Sequence, residues 1–418
     1  MTDPTTALFT LALGLKDPWA VQRADFDPVQ RQLDLSVDFP RGSRLGCPQC
    51  GSLCPVHDTV DKTWRHLDFF QHQAFLHARV PRVQCPTHGT LLIEVPWARS
   101  GSGFTLLFEA LVMTLVPHMA MQRIAELVGE TDQRLWRIAR HYAGAAVEDR
   151  SLADVRAVGM DETAIARGQR YVTVVADLER GRVIFATPGH DAATVAAFAT
   201  HLTAHGGDPA AVTDAACDMS RAYTAGIGQS LPNAAITYDH FHLAQLVGNA
   251  VDETRRAEVQ AGGWQRNLLA GERYTVLRNQ ATQSESQAFM AKVIAMPALH
   301  LKTGKAYRMR LAFQDAMALR GDDGVTALSR WCRWATRCGL PAMKAVAKTL
   351  ADHWQGVTNF FTSGYTTALM ESINSLIQAA RARARGYRSI GNLVAMIHLI
   401  AGRHDLSAHG IAVLARRA

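Results

Sequence analysis

Apolar positions recur along this chain with two different periods, and the points where the period changes divide it into segments. Beyond Pro96 the spacing is three and four. "FTLLFEALVMTLV", "AMQRIAELVG" and "TDQRLWRIARHYAG" each carry one apolar stripe, the pattern of amphipathic helices. Gly129 ends the second, and Thr131 or Asp132 can cap the third, which predicts a short turn between two helices. From Val155 the spacing drops to two. "VRAVGMDETAIARG", "RYVTVVADLERG" and "RVIFATPG" predict three consecutive antiparallel strands with glycine-containing turns. A helix over "DAATVAAFATHLTAHGG" follows, then a short strand in "AAVTDAACDMS", a helix ending near "SLPN", and a strand "AAITYD" running into "HFHLAQLVGNAVDETRR". Between Gly248 and Thr362 the pattern is mostly helical. Near the end Leu369, Ile373, Leu376 and Ala380 form a further helical stripe, with Glu371 on the opposite side in line with Ser375, Gln378, Ala382 and Arg385.

Composition narrows this picture without changing it. The 48% hydrophobic and 19% charged fractions are those of a globular chain, and 418 residues suggest about three domains. The longest apolar stretch, "IGNLVAMIHLIAG", is too short to cross a bilayer. The start, "MTDPTTALFTLALGL", has an acid and no early positive charge, so it does not read as a secretory signal. A cytoplasmic, nucleoid-associated protein with no membrane partner is the expectation. The net charge of +7 is concentrated: from Thr362 onward seven arginines face only Glu371 and Asp405. Such a basic segment suits a polyanion, nucleic acid before membrane. "RWCRWATRCG", with Trp331 and Trp334, mixes aromatics and arginines, but core packing is the expected use.

Seven cysteines, an odd number without an export signal, argue against a disulfide scaffold. Cys217, Cys332 and Cys338 are scattered and read as buried thiols, whereas Cys47, Cys50, Cys54 and Cys85 cluster. Cys47/Cys50 and Cys85/His88 are two hooks that together offer four ligands for a tetrahedral structural Zn²⁺. Gly51 and Gly89 follow the last ligand of each hook, where a missing Cβ permits the tight turn. Cys54 and His57 form a possible third hook. The intervening "WRHLDFFQHQAFLHARVPRVQC" reads as a β-hairpin, polar and basic on one face.

The helices after Pro96 have the layout of a helix-turn-helix, and the third presents Gln133, Arg134, Arg137 and Arg140 for base edges or phosphates. The later order of three strands, helix, strand, helix, strand is that of an RNase H-like domain. Three stretches together, "GMDETAIARG…YVTVVADLERGRVI", "CDMSRAY…LPNAAITYDHFHLAQLV" and "ALMESINSLIQAARARARGYR", resemble a DDE transposase of the ISL-three insertion-sequence family. The paired hooks and "VPWARSGSGFTLLFEA" resemble that family's N-terminal region. The resemblance spans about Leu45 to Gly402.

The resemblance implies an enzyme that binds double-stranded DNA at terminal inverted repeats and at a target, and cuts and rejoins it with Mg²⁺ (or Mn²⁺) held by three carboxylates. Asp161 matches the first and Glu371 the last, with Arg381, Arg383, Arg385 and Arg388 neutralising phosphates. For the middle acid Asp218 ends the fourth strand and matches the family motif; Asp239, beside His242, is the rival, and Asp214 shares a strand face with Asp218. Glu162 alternates to the other face of the Asp161 strand. His240 and His242 suit a phosphate contact or, more simply, the ordering of a strand end. At least a homodimer is implied by cutting two ends together. The expected architecture is multidomain α+β: an N-terminal arm (1–44), a zinc-binding β-hairpin domain (45–98), a helix-turn-helix domain (99–150), an RNase H-like catalytic core (151–248) interrupted by a helical insertion (249–362), and the final core helix with a basic C-terminal segment (363–418). Two other classes fit the same features: an inactive zinc-containing DNA-binding regulator, and an RNase H-like structure-specific nuclease.

Overall fold

The computed structural model describes residues 3–166, 170–365 and 367–405. The chain divides into two compact units. One holds the residues up to Val147 together with Ala380–Leu399; the other runs from Glu148 to Ala379 and takes back Ile400–Arg403.

The first unit opens with helix α1 (Pro4–Ala12), then β1 (Ala20–Asp27), β2 (Gln32–Asp38), β3 (Arg44–Gly46), β4 (Leu53–Phe69), β5 (His72–Cys85) and β6 (Gly89–Leu92). The long β4–β5 hairpin is the one its alternation predicts, and β3 and β6 extend its far end. Residues 1–44, expected to be an arm, behave differently: β1 pairs with β2, and β2 joins β5 in parallel. The cause is the alternation in "QLDLSVD", which buries Leu33, Leu35 and Val37 beside Leu76 and Trp64 in one core. Three helices follow, α2 (Leu106–Leu115), α3 (Met121–Val128) and α4 (Asp132–Glu148). Gly129 ends α3 with φ 65°, a left-handed position that costs glycine nothing. Arg134 and Leu135 donate backbone hydrogen bonds to the Thr131 carbonyl, so α4 starts at the next residue, Asp132.

The second unit is built on β7 (Ala157–Ala166), β8 (Arg170–Asp177) and β9 (Arg182–Pro188), then α5 (Ala192–Ala204), β10 (Asp214–Cys217), α6 (Arg221–Ser230) and β11 (Ala235–Tyr238). The sheet order is β11-β10-β7-β8-β9; β7, β8 and β9 are antiparallel neighbours, while β10 runs parallel to both β7 and β11. Helix α7 (His240–Ala261) runs unbroken through Gly248, so the expected boundary at 248/249 falls inside one helix. Seven helices follow: α8 (Trp264–Leu269), α9 (Arg273–Leu277), α10 (Glu285–Ala295), α11 (Lys302–Ala318), α12 (Gly321–Thr336), α13 (Pro341–Asp352) and α14 (Trp354–Ser363). Helices α8, α9, α11 and α13 pack on α7, the others pack on these, and the group shares one core with the sheet. Trp331 is buried there, its indole N–H donating to the Met309 carbonyl at 2.7 Å, whereas Trp334 is exposed. Helix α14 covers the open edge of β11, with the Asn359 amide donating to the Ile236 carbonyl at 2.8 Å.

Helix α15 (Ala368–Ala384) and helix α16 (Ile390–Ala401) complete the described chain. The buried stripe of α15 is Met370, Ile373, Ile377 and Ala380; Leu376, expected on it, is 49% exposed. Two apolar stripes compete in this segment, and contact with the sheet selects the one through Met370. Gly159 on β7 leaves the space: a Cβ there would lie 3.0 Å from the Met370 Cγ and Sδ. No helix among the described residues is long and apolar enough to cross a membrane.

Candidate active site and metal centre

Asp161 lies in β7, opposite Val174 of β8. Residues two apart share a strand face, so Gly159, Asp161 and Thr163 look toward α15. The amide nitrogen of Asn374 donates to Asp161 Oδ2 at 2.7 Å, Thr163 Oγ1 donates to Asn374 Oδ1 at 3.1 Å, and the Gln378 amide reaches Thr163 Oγ1 at 3.3 Å. Three hydrogen bonds among four polar side chains thus stitch one face of α15 to one face of β7. Glu371 precedes Asn374 by three residues, on the same side of the helix, and is exposed. Glu162 points to the opposite face, where it meets the buried Tyr223 hydroxyl. Burial pushes the Asp161 carboxyl up to about 6, and the charges of Glu162 and Asp218 add to the rise.

The β10–β7 ladder pairs Asp214 with Ala157 and Ala216 with Gly159; carried two residues further by strand parity, past the end of β10 at Cys217, it would bring Asp218 beside Asp161. On its other side β10 pairs Asp214 with Ala235 and Ala216 with Thr237, so Asp239 is the next in line. Both middle-acid candidates therefore share the Asp161 face, and their surroundings separate them. Asp218 is half-buried and takes one backbone N–H, from Ser220, at 2.9 Å. It lines a cavity of about 260 Å³ with Ser220, His242, Gln245 and Asn249. Asp239 is 3% exposed and caps α7, with Oδ1 accepting from Phe241 N at 3.0 Å and Oδ2 facing His242 Nδ1 at 2.8 Å. Although burial opposes it, the hydrogen bonds with His242 and with the Phe241 backbone amide hold the Asp239 carboxyl below its usual range. The same pairing raises His242, helped by the charges of Asp218 and Asp161. His240 stacks on Phe360 at 5.1 Å. Asp214, at the start of β10, accepts from its neighbour Thr213.

The sulfur and imidazole cluster lies at the far end of the first unit's sheet. The turn between β3 and β4 carries Cys47 and Cys50; Cys85 ends β5, and His88 lies in the turn that leads to β6. Gly51 and Gly89 have φ 71° and 74°. Cys50 Sγ is 3.8 Å from Cys85 Sγ, and His88 Nδ1 is 3.7 Å from Cys47 Sγ and 3.6 Å from Cys85 Sγ. Metal–sulfur bonds of about 2.3 Å in a tetrahedron put sulfurs about 3.8 Å apart, so the donor set and its spacing fit zinc. Backbone amides of Thr87 and His88 hold the Cys85 thiol down at about 7, which favours the thiolate a metal needs. Cys54 is buried against the Ser52 carbonyl at 3.2 Å and His57 is exposed; neither joins the four-ligand group.

On α4, Gln133, Arg137 and Arg140 are exposed, but Arg134 is engaged: it pairs with Glu130 at 2.5 Å and lies over the Phe104 ring at 4.4 Å. Arg383 donates to the His118 carbonyl at 2.8 Å, Arg381 is half-buried, and Arg385 and Arg388 are exposed. The residues that the sequence reading missed are Asn374 and Gln378. Their spacing of three and seven from Glu371 was visible, but polar positions on a helix read as solvated until a strand is known to face them.

Sequence comparison assigns the sulfur–imidazole ribbon, the three helices and the mixed-sheet unit, in that order, to transposase domains. A family model described as "Transposase" matches residues 158–397, one for the "Helix-turn-helix domain of transposase family ISL3" matches 93–143, and one for the "zinc-finger of transposase IS204/IS1001/IS1096/IS1165" matches 44–88. The chain belongs to the ISL3 transposase family. It is 29% identical over 432 residues to the transposase for insertion sequence element IS1557 of Mycobacterium tuberculosis, covering 95% of this chain and 96% of that one. It is 26% identical over 388 residues to the transposase for IS1001 of Bordetella parapertussis, covering 90% and 94%.

Proposed function

We propose that this transposase binds the terminal inverted repeats of its element and carries out metal-dependent strand cleavage and strand transfer in an RNase H-like core, with α8–α14 as a helical insertion and with two copies acting together on paired ends. The observation that carries the reading is that Asp161 on β7 feels the charge of Asp218, which follows the neighbouring strand β10, while Asn374 ties the helix of Glu371 to β7. These three carboxylates are all-oxygen donors suited to Mg²⁺ or Mn²⁺, and Asp161, raised chiefly by burial and further by the charges of Glu162 and Asp218, is a carboxyl whose ionised form a cation would favour. When bound, such ions would supply the charge that activates a hydroxyl and stabilises the leaving oxygen in phosphoryl transfer. Asn374 orients Asp161. Asp239, both of whose oxygens are already engaged, holds a proton on His242 Nδ1 rather than serving as the second metal ligand. Zinc in the ribbon is structural, since all four positions are filled by the protein.

Cleavage of a labelled duplex carrying the element's own end, with Mg²⁺, Mn²⁺ or EDTA, tests this. Asp161→Asn, Asp218→Asn and Glu371→Gln should abolish metal-dependent nicking at the element boundary, while Asp239→Asn should retain a weakened activity. Tight end-binding without cleavage by wild type under either metal would make the chain an inactive DNA-binding regulator. Cleavage indifferent to the repeat sequence would make it a structure-specific nuclease.

A further inference from the structure

The first unit contains a second feature that the zinc ribbon and the helix-turn-helix alone do not account for. A groove of about 1560 Å³ has α3 and α4 on one side and the end of α15, the following turn and α16 on the other. Six arginines line it: Arg123, Arg137, Arg140, Arg383, Arg385 and Arg388. Three acids also line it, Glu126, Glu130 and Asp132, but two are neutralised: Glu126 pairs with Arg123 at 2.6 Å and Glu130 with Arg134 at 2.5 Å. Among the described residues no carboxylate engages Arg137, Arg385 or Arg388, so the groove keeps a clear positive excess.

The turn is built, not loose. Tyr387 packs edge-on against Trp136 of α4, with centroids 5.9 Å apart, and burial pushes its hydroxyl up to about 12. Gly386 N donates to the Arg381 carbonyl at 2.9 Å and Arg385 N to the Ala382 carbonyl at 3.1 Å, closing α15 in the way helices do when a left-handed residue follows them. That left-handed residue, with φ 54°, is Arg385. Glycine is the residue that takes this conformation without strain, and Gly386 stands next to it. A strained backbone that carries a long exposed cation into a basic groove suggests that the side chain, not the fold, requires this residue.

We propose that this groove seats the phosphates of a DNA strand, so that Arg385 and Arg388 from the α15–α16 turn and Arg137 and Arg140 from α4 form one composite DNA site. The proposal rests on the DNA-binding reading above and extends it: the turn after the Glu371 helix belongs to the DNA-reading module, as an opposing wall to α4.

Arg385→Gly separates a binding role from a folding role, because it removes the cation and relieves the strain together. The full chain is titrated onto two labelled duplexes, the element's end and a scrambled sequence, across a series of salt concentrations. Arg385→Gly should raise Tm by about 2–4 °C while lowering the slope of log affinity against log salt by about 0.9, the loss of one phosphate contact. Arg137→Ala should lower it by a similar step, as should Arg388→Ala, and the control Arg23→Ala, on the surface of β1, should leave it unchanged. Wild-type slope and affinity for Arg385→Gly and Arg388→Ala on both duplexes would overturn the composite site while leaving any end preference intact. Equal wild-type affinity for both duplexes would instead defeat inverted-repeat recognition, and reduced slopes in the variants would still support the groove.

Discussion

Replacing Gly159 with alanine tests whether the sheet and the Glu371 helix form one working unit. The added Cβ would sit 3.0 Å from both Cγ and Sδ of Met370 and 2.8 Å from a terminal methyl of Leu178. Apolar atoms rest at about 3.5–4.0 Å, so Met370, which is fully buried, must retreat by about 0.5–1 Å. Overpacking of this kind costs about 1–3 kcal/mol. The displaced residue adjoins Glu371, and the strained strand position is two residues from Asp161. A misplacement of about 1 Å can cost about 100-fold in rate. Thermal melting and single-turnover cleavage of the element-end duplex would be measured together for wild type, Gly159→Ala and Gly159→Ala/Met370→Ala. The single variant should lose both stability and about 100-fold in rate. The double variant should recover rate, since the atoms that displace the Glu371 helix are gone, without recovering full stability, because the Leu178 methyl at 2.8 Å still crowds the new Cβ. An unchanged rate in Gly159→Ala, or a loss that Met370→Ala does not relieve, would refute the argument that helix position controls the site.

Three further outcomes follow from the geometry. Cys85→Ser, or prolonged chelation, should unfold the first unit's ribbon, because structural zinc contributes about 10–16 kcal/mol of apparent binding energy against a typical domain stability of about 5–15 kcal/mol; loss of zinc by mass spectrometry without a change in Trp fluorescence would contradict this. Burial holds His66 down at about 4, with the nearby Arg65 charge contributing. The folded chain therefore keeps His66 neutral while the unfolded chain protonates near 6.5, so this contribution is complete above about pH 6.5 and is lost as pH falls toward 4, by about 3 kcal/mol. Urea midpoints at pH 7 and 4.5 should converge in His66→Gln relative to wild type. Asn374→Asp replaces the amide that donates to Asp161 at 2.7 Å with a like charge. Its Tm in EDTA should fall, and Mg²⁺ should restore more of it than it adds to wild type; equal Mg²⁺ effects in both proteins would exclude cation binding at this pair.

The sequence by itself determined what depends on near neighbours. Cys-x-x-Cys and Cys-x-x-His hooks make their own turns, the alternation after Val155 makes strands, and Gly129 ends a helix, because each is decided within a few residues. It also placed Asp161 on a strand and Glu371 on a helix, where the structure has them. Tertiary structure decided which partners those elements meet. The stripe of α15 runs through Met370 rather than Leu369 because Gly159, over 200 residues earlier, leaves room for it. Asp218 and Asp239 are equivalent by strand parity, and only burial and the His242 contact separate them. Arg134 carries the same charge as Arg137, yet Phe104 and Glu130 occupy it. Residues 1–44 read as an arm because a strand's partner is a long-range fact: β2 pairs with β5, whose sequence lies about 40 residues away. Local chemistry sets what a segment can form, and packing between distant segments sets which face of it is used.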